Sequence, residues 1–238
     1  MSRKSSCGAA IIVLIAAIYG FIYTAMQQNL AATAAALANR PLTIVLDAGH
    51  GGEDGGAVSV SGTKESHLNL DIVLRTEQVM ALCGMRTELV RSEDVSVHSS
   101  GDTISQRKNS DLKNRVSFVE QHTPAILVSI HQNHFSDGRY SGAQVFYADT
   151  EESKQLADLM QQSLCAGLDP SNHRKSKQAD SVYLMDQISC TGILVECGFL
   201  SNSNEAQLLN TEDYQIKIAC VVSSTLSRFM EGRDIFEV

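Results

Sequence analysis

Two histidines, His50 and His131, each stand at the end of a short apolar run, where an imidazole could help hold a metal that activates water. His50 sits in Asp47-Ala48-Gly49-His50-Gly51-Gly52, in which glycines permit a tight turn and close backbone approach around one ring. His131 follows the run Ala125 to Ile130 and precedes Gln132, Asn133 and His134. A third run, Ile193 to Val195, stops on Glu196, followed by Cys197, Gly198 and Phe199. Either histidine alone reads as an ordinary surface or hydrogen-bonded residue. Joined by a carboxylate, the pair would match the two-His, one-Glu set common in catalytic zinc sites, with a fourth position left for water. The candidate carboxylates are Glu53, Asp54, Glu65 and Glu196. Glu53 and Asp54 lie nearest His50, and His134 rivals His131, although His131 follows the strand directly. Cys197 invites a thiolate reading, but strand alternation turns it to the face opposite Glu196, into the core. His67, His98, His122 and His173 have no evident partners and read as surface residues.

The elements that must position these groups are those of an α/β domain. From Pro41 onward, short β-branched or apolar runs alternate with longer helical patterns, which predicts a mostly parallel sheet of about six strands flanked by helices. The expected strands are Leu42 to Asp47, Arg86 to Val90, Ala125 to Ile130, Ala143 to Tyr147, Val182 to Met185 and Ile193 to Cys197. Leu68, Ile72, Arg75, Val79 and Leu82 step by four and three residues along one helix face. Further helices are expected over Leu112 to Gln121, Glu151 to Leu168 and Tyr214 to Phe229. In an open parallel sheet, ligands gather outside the carboxyl ends of the strands, so His50, His131 and Glu196 share one rim.

The bulk composition is that of a globular protein, with 43% hydrophobic residues, 19% charged residues and 3 prolines. A formal net charge of -8 and the absence of a Lys/Arg stripe argue against a nucleic-acid partner. The 6 cysteines form no C-x-x-C pair, which excludes a zinc ribbon and a thioredoxin-type site; most sit in apolar runs and read as small buried hydrophobes. The N-terminus differs from the rest. Arg3 and Lys4 precede a charge-free stretch from Cys7 to about Met26, close to the roughly 20 residues that span a bilayer as a helix. The expected organisation is a membrane anchor or signal segment over residues 1–26, a tether over 27–40 and one catalytic domain over 41–238.

Four segments in this order, DAGHGGEDGGA (47–57), E-x-x-x-N-L (Glu65 to Leu70), SIHQN (129–133) and VECGFLSN (195–202), resemble the type 3 family of zinc-dependent N-acetylmuramoyl-L-alanine amidases. The resemblance runs from Thr43 to about Phe229. It implies one zinc ion per chain, bound by His50, Glu65 and His131, with Glu196 as the catalytic carboxylate. The bond it implies is the amide between the lactyl group of muramic acid and the L-alanine of the peptidoglycan stem peptide. Leu89-Val90-Arg91 and the segment carrying Arg115 also fall where the family has arginines. Arg91, Arg115, Asn133 and Asn202 are therefore expected to touch substrate or support the ligands.

Some division-associated relatives insert a plugging helix after the S-I-H-x-N segment, and the short stretch from His134 to Ser141 leaves no room for one. Activity is then expected to be limited by membrane location or by an activating partner protein. One catalytic domain behind an N-terminal anchor, without wall-binding repeats, most resembles the spore-cortex amidases of endospore formers, which take stem peptides off muramic acid on the way to muramic-δ-lactam. This implies an extracytoplasmic location. The alternatives are a vegetative wall amidase, a different zinc amidohydrolase or peptidase on the same scaffold, and a non-catalytic wall-binding protein, against which retention of all four site residues speaks.

Overall fold

The computed structural model describes residues 18–28 and 41–234. The chain divides into two compact units, Met1–Pro41 and Leu42–Val238. In the first, residues 18–28 are helical, and among the described residues no helix is long and apolar enough to cross a membrane. Most of the expected anchor and tether, with Cys7, lies outside the described residues.

In the second unit the strands are β1 (Thr43–Ala48), β2 (Thr87–Leu89), β3 (Ala125–Asn133), β4 (Gln144–Tyr147), β5 (Lys177–Gln178) and β6 (Thr191–Phe199). The helices are α1 (Glu65–Leu82), α2 (Ile104–Gln121), α3 (Glu151–Leu168), α4 (Tyr183–Gln187), α5 (Ser203–Leu209) and α6 (Glu212–Asp234). The six strands form one sheet in the order β2-β1-β3-β6-β4-β5. All neighbours are parallel except β4 and β6, which run antiparallel, so the expected mostly parallel α/β domain is what forms. After β1 the chain steps outward to β2 and returns to place β3 on the other side of β1. Such a reversal of winding opens a crevice beyond the carboxyl ends of β1 and β3. His50 and His131 belong to those two ends.

Alternation along the strands separates two cores. Ile44, Leu46, Ile126, Val128, Ile130, Ile193 and Val195 pack on the side of α1, α3 and α6. Val45, Leu127 and Leu194 pack on the opposite side with Val119 of α2 and Leu184 of α4. With period 2, the second face continues through Asp47 on β1, Ser129 and His131 on β3, and Glu196 on β6. The polar rim is thus the outer end of the smaller core. Cys197 falls on the larger core, 1% exposed, as its alternation with Glu196 predicts.

Three expectations need correction. Val182 to Met185 is not a strand: Tyr183–Gln187 is a short helix whose Leu184 and Met185 plug the smaller core, an apolar run too short for periodicity to separate helix from strand. The remaining strand of the sheet is instead Lys177–Gln178, exposed and without an apolar signal. On α1 the buried stripe runs Leu68, Ile72, Val73, Thr76, Met80, while Leu82 is 90% exposed, because Met80 continues the four-residue step from Ile72 and Thr76. Of the five cysteines described, all are free thiols; Cys190 and Cys197 are buried as expected, but Cys83 and Cys220 are exposed.

Candidate active site

The turn after β1 presents His50 in a left-handed conformation, φ 62°, followed by Gly51 at 139° and Gly52 at 61°. Such a backbone costs a non-glycine residue on the order of 1–3 kcal/mol and persists only where its surroundings enforce it. Two buried arginines do so. Arg91 donates from Nε to the Ala48 carbonyl at 2.8 Å and from Nη2 to the carbonyls of Gly49 at 3.1 Å and Ser66 at 2.9 Å. Arg115 donates to the His50 carbonyl at 2.7 Å and the Ala48 carbonyl at 3.0 Å. Arg115 is itself held by Asp111 at 2.6 Å and by a short bond to Asp47, whose other oxygen accepts from Ser129 at 2.6 Å. Burial raises the Asp47 pKa, but Arg115 and the Ser129 bond outweigh it and hold the carboxyl below its ordinary range.

Glu65 opens α1, where the helix dipole favours an anion. Its Oε2 accepts from the Ala57 amide at 2.9 Å; its Oε1 accepts from the Gln132 amide at 3.1 Å and Asn69 Nδ2 at 3.3 Å. The Asn69 amide also donates to the Gly49 carbonyl at 3.1 Å, tying the helix to the His50 turn. Glycine is required at two neighbours. A Cβ on Gly56, φ 65°, would lie 2.6 Å from Glu65 Oε2 and 2.8 Å from the His50 ring, and one on Gly49 would lie 2.1 Å from the His131 ring.

These constraints bring three donors together. His50 Nε2 lies 3.3 Å and His131 Nδ1 3.0 Å from Glu65 Oε1, and the three ligand atoms lie within 4.8 Å of one another. Two imidazole nitrogens and one carboxylate oxygen, drawn from the turn after β1, from α1 and from β3, form a donor set suited to zinc. Burial raises the Glu65 pKa, yet the bonds to His131 and His50 prevail and hold it far below the carboxylate range. Burial lowers that of His50, but Glu65 and then Asp54 raise it overall.

Glu196 pairs with His131 across the β3–β6 ladder but joins no hydrogen bond through Oε2, which is buried and unpartnered. Burial pushes its pKa up to about 7; nearby His131 works against this and Glu65 with it. The site therefore holds one carboxylate kept ionised beside the histidines and a second poised near neutrality, two titratable groups whose surroundings push them apart.

The other sequence candidates take different places. Arg91 and Arg115, 3% and 2% exposed, support the His50 turn and are too buried to meet substrate. Asn202 caps α5, accepting from the amides of Asn204 and Glu205. Asn133 stays half-buried beyond a register shift in β3, its carbonyl accepting from the Leu200 amide at 2.8 Å. Glu53 is exposed and pairs with Arg107, Asp54 faces the remote nitrogen of His50 at 3.1 Å, and His134 is exposed outside the donor cluster. His67 and His173 are exposed, but His67 has a partner in Asp94 at 3.0 Å; His98 and His122 are half-buried and bonded to Ser96 and to the Phe118 carbonyl. Asp47, Ser129 and Gln132 were not singled out, although Asp47 and Ser129 are polar interruptions of apolar strands, a readable signal.

Residues 44–228 match the family described as N-acetylmuramoyl-L-alanine amidase. The germination-specific N-acetylmuramoyl-L-alanine amidase of Bacillus subtilis is 34% identical over 188 residues, covering 78% of each chain. Among solved structures, the CwlD amidase of Clostridioides difficile in complex with the GerS lipoprotein superposes with a TM-score of 0.77 at 37% identity, covering 79% of this chain and 98% of that one. The catalytic domain of the amidase CwlV from Paenibacillus polymyxa gives 0.67 at 26% identity, covering 80% and 99%.

Proposed function

The chain belongs to the N-acetylmuramoyl-L-alanine amidase family and is an enzyme of that class, and we propose that it is a zinc hydrolase acting in spore-cortex maturation. The observation that carries the zinc reading is the convergence of His50 Nε2, Glu65 Oε1 and His131 Nδ1 beside an unpartnered Glu196 oxygen. Zinc bound there would supply Lewis acidity toward water and the scissile carbonyl.

The chain's own residues do the rest. Glu65 brings negative charge to the ligand set and is fixed by three bonds, from Ala57, Gln132 and Asn69. Glu196 takes a proton from the attacking water onto its carboxylate and returns it to the departing amide nitrogen. A carbon–oxygen bond forms at the lactyl carbonyl, the carbon–nitrogen bond to L-alanine breaks, and the stem peptide leaves with a free amino group. A pKa near 7 suits a group that must serve as base and then as acid near neutral pH.

The spore role rests on the likeness to the germination-specific amidase of Bacillus subtilis and to CwlD. In this reading stem peptides are removed from muramic acid as the step before muramic-δ-lactam forms, outside the cytoplasmic membrane, where the apolar segment Cys7 to Met26 retains the enzyme. A lipoprotein partner, such as the one bound to the CwlD neighbour, would supply the control expected of a site without a plugging helix. The test is the cortex muropeptide profile of a strain lacking the gene: loss of muramic-δ-lactam is expected, and an unchanged profile contradicts the spore role.

A further inference from the structure

His50 has two ring nitrogens, and each faces a carboxylate oxygen. Nε2 faces Glu65 Oε1 at 3.3 Å, while Nδ1 faces Asp54 Oδ2 at 3.1 Å. Both carboxylates only accept; a metal held between Nε2 and Glu65 would take the Nε2 lone pair, which leaves the ring proton on Nδ1, where Asp54 accepts it. We propose that Asp54 is a positioning residue that holds the proton of His50 on Nδ1 and so leaves the lone pair of Nε2 free for the metal. This rests on the zinc reading above.

Two further observations separate this role from a structural one. The turn carrying Asp54 is closed by backbone bonds, Gly51 amide to Asp54 carbonyl at 2.9 Å and Asp54 amide to Gly51 carbonyl at 3.2 Å. The carboxylate adds to the turn only a long contact from the Gly56 amide at 3.3 Å. It is therefore spare to the turn. Second, Lys108 Nζ lies 3.2 Å from the same Oδ2 that faces His50. The lysine of α2 holds that oxygen in place beside the ring. Without Asp54, the remaining carboxylate neighbour is Glu65, which would draw the ring proton to Nε2, the position the metal needs.

Outer partners of this kind are worth about 10- to 100-fold in metal affinity. The test compares zinc affinity, by competition with a chromophoric chelator, of the full chain and of Asp54→Ala, Asp54→Asn and Lys108→Met, with the nitrogen-15 spectrum of the zinc-loaded imidazoles as second readout. Both Asp54 variants are expected to bind zinc about 10- to 100-fold more weakly with melting curves near those of the parent, and Lys108→Met to fall between. In the loaded parent, the His50 proton is expected on Nδ1. Parent-like affinity in both Asp54 variants, or a parent spectrum with the proton on Nε2, overturns the assignment while leaving the amidase reading intact. A parent chain that binds no zinc overturns the metal reading beneath it.

Discussion

Glu196 stands opposite His131 across the parallel β3–β6 pair, on the same face of the sheet, with one carboxylate oxygen buried and unpartnered. A buried oxygen without a donor costs free energy, and such groups persist where function uses them. The pairing sets the proposed proton carrier one strand away from a proposed metal ligand, within a register that side-chain motion cannot alter. Replacing Glu196 by Gln keeps shape and removes the base. The expected outcome is a fall in kcat of about 10²–10⁴ with zinc content unchanged, measured by turnover and metal analysis of the same samples.

Removal of the metal is expected to abolish activity reversibly. Dialysis against a chelator followed by one equivalent of zinc per chain restores it, and His50→Ala, Glu65→Ala and His131→Ala each fail to recover at that stoichiometry. Elemental analysis of the dialysed and reloaded protein checks this.

Stability of the metal-free chain carries the signature of Glu196. Its folded pKa is raised from 4.5 to about 7, so the folded state binds the extra proton and gains stability below pH 4.5 that is lost as pH rises through about 7. Glu196→Gln has no such proton to lose. On going from pH 5 to pH 8, the metal-free variant should gain about 1–3 kcal/mol relative to the parent, read from denaturant midpoints at the two pH values. Asp47, lowered in both proteins, cancels in the difference.

Arg115 links Asp47 and Asp111 to the His50 carbonyl within a buried cluster. Replacing Arg115 by Met leaves two buried carboxylates without their cation and is expected to cost about 3–5 kcal/mol. Asp47→Asn and Ser129→Ala should cost less, because each leaves the Arg115–Asp111 pair in place. Urea unfolding of the three variants ranks them.

Gly49→Ala tests the packing of the site. The added methyl would sit 2.1 Å from the His131 ring, so the ring must move. Zinc affinity and activity should fall together, whereas Gly62→Ala, with nothing within 4 Å, should change neither despite its φ of 89° adding some strain.

Much of this arrangement was legible in the sequence, and the reasons are physical. β1, β3 and β6 are buried on both faces, so their apolar runs stood out and their ends located His50, His131 and Glu196. Glu65 was not readable in that way. It lies on a helix, eight residues past Ala57, whose amide donates to its side chain, and it was reached through the E-x-x-x-N-L resemblance. The roles of Arg91, Arg115 and Asn202 depend on carbonyls and amides, which leave no trace in a sequence. α4 and β5 were misplaced because one is a short apolar helix and the other an exposed edge strand, where neither periodicity nor burial speaks.

The most direct measurement is hydrolysis of a purified disaccharide-peptide in oxygen-18 water by the zinc-loaded chain and by Glu196→Gln, with products read by mass spectrometry. The account predicts one labelled oxygen in the lactyl carboxylate of muramic acid, an unlabelled stem peptide beginning with L-alanine, and little of either from the variant. Label in a carboxyl group of the peptide, or equal product from both proteins, would contradict it.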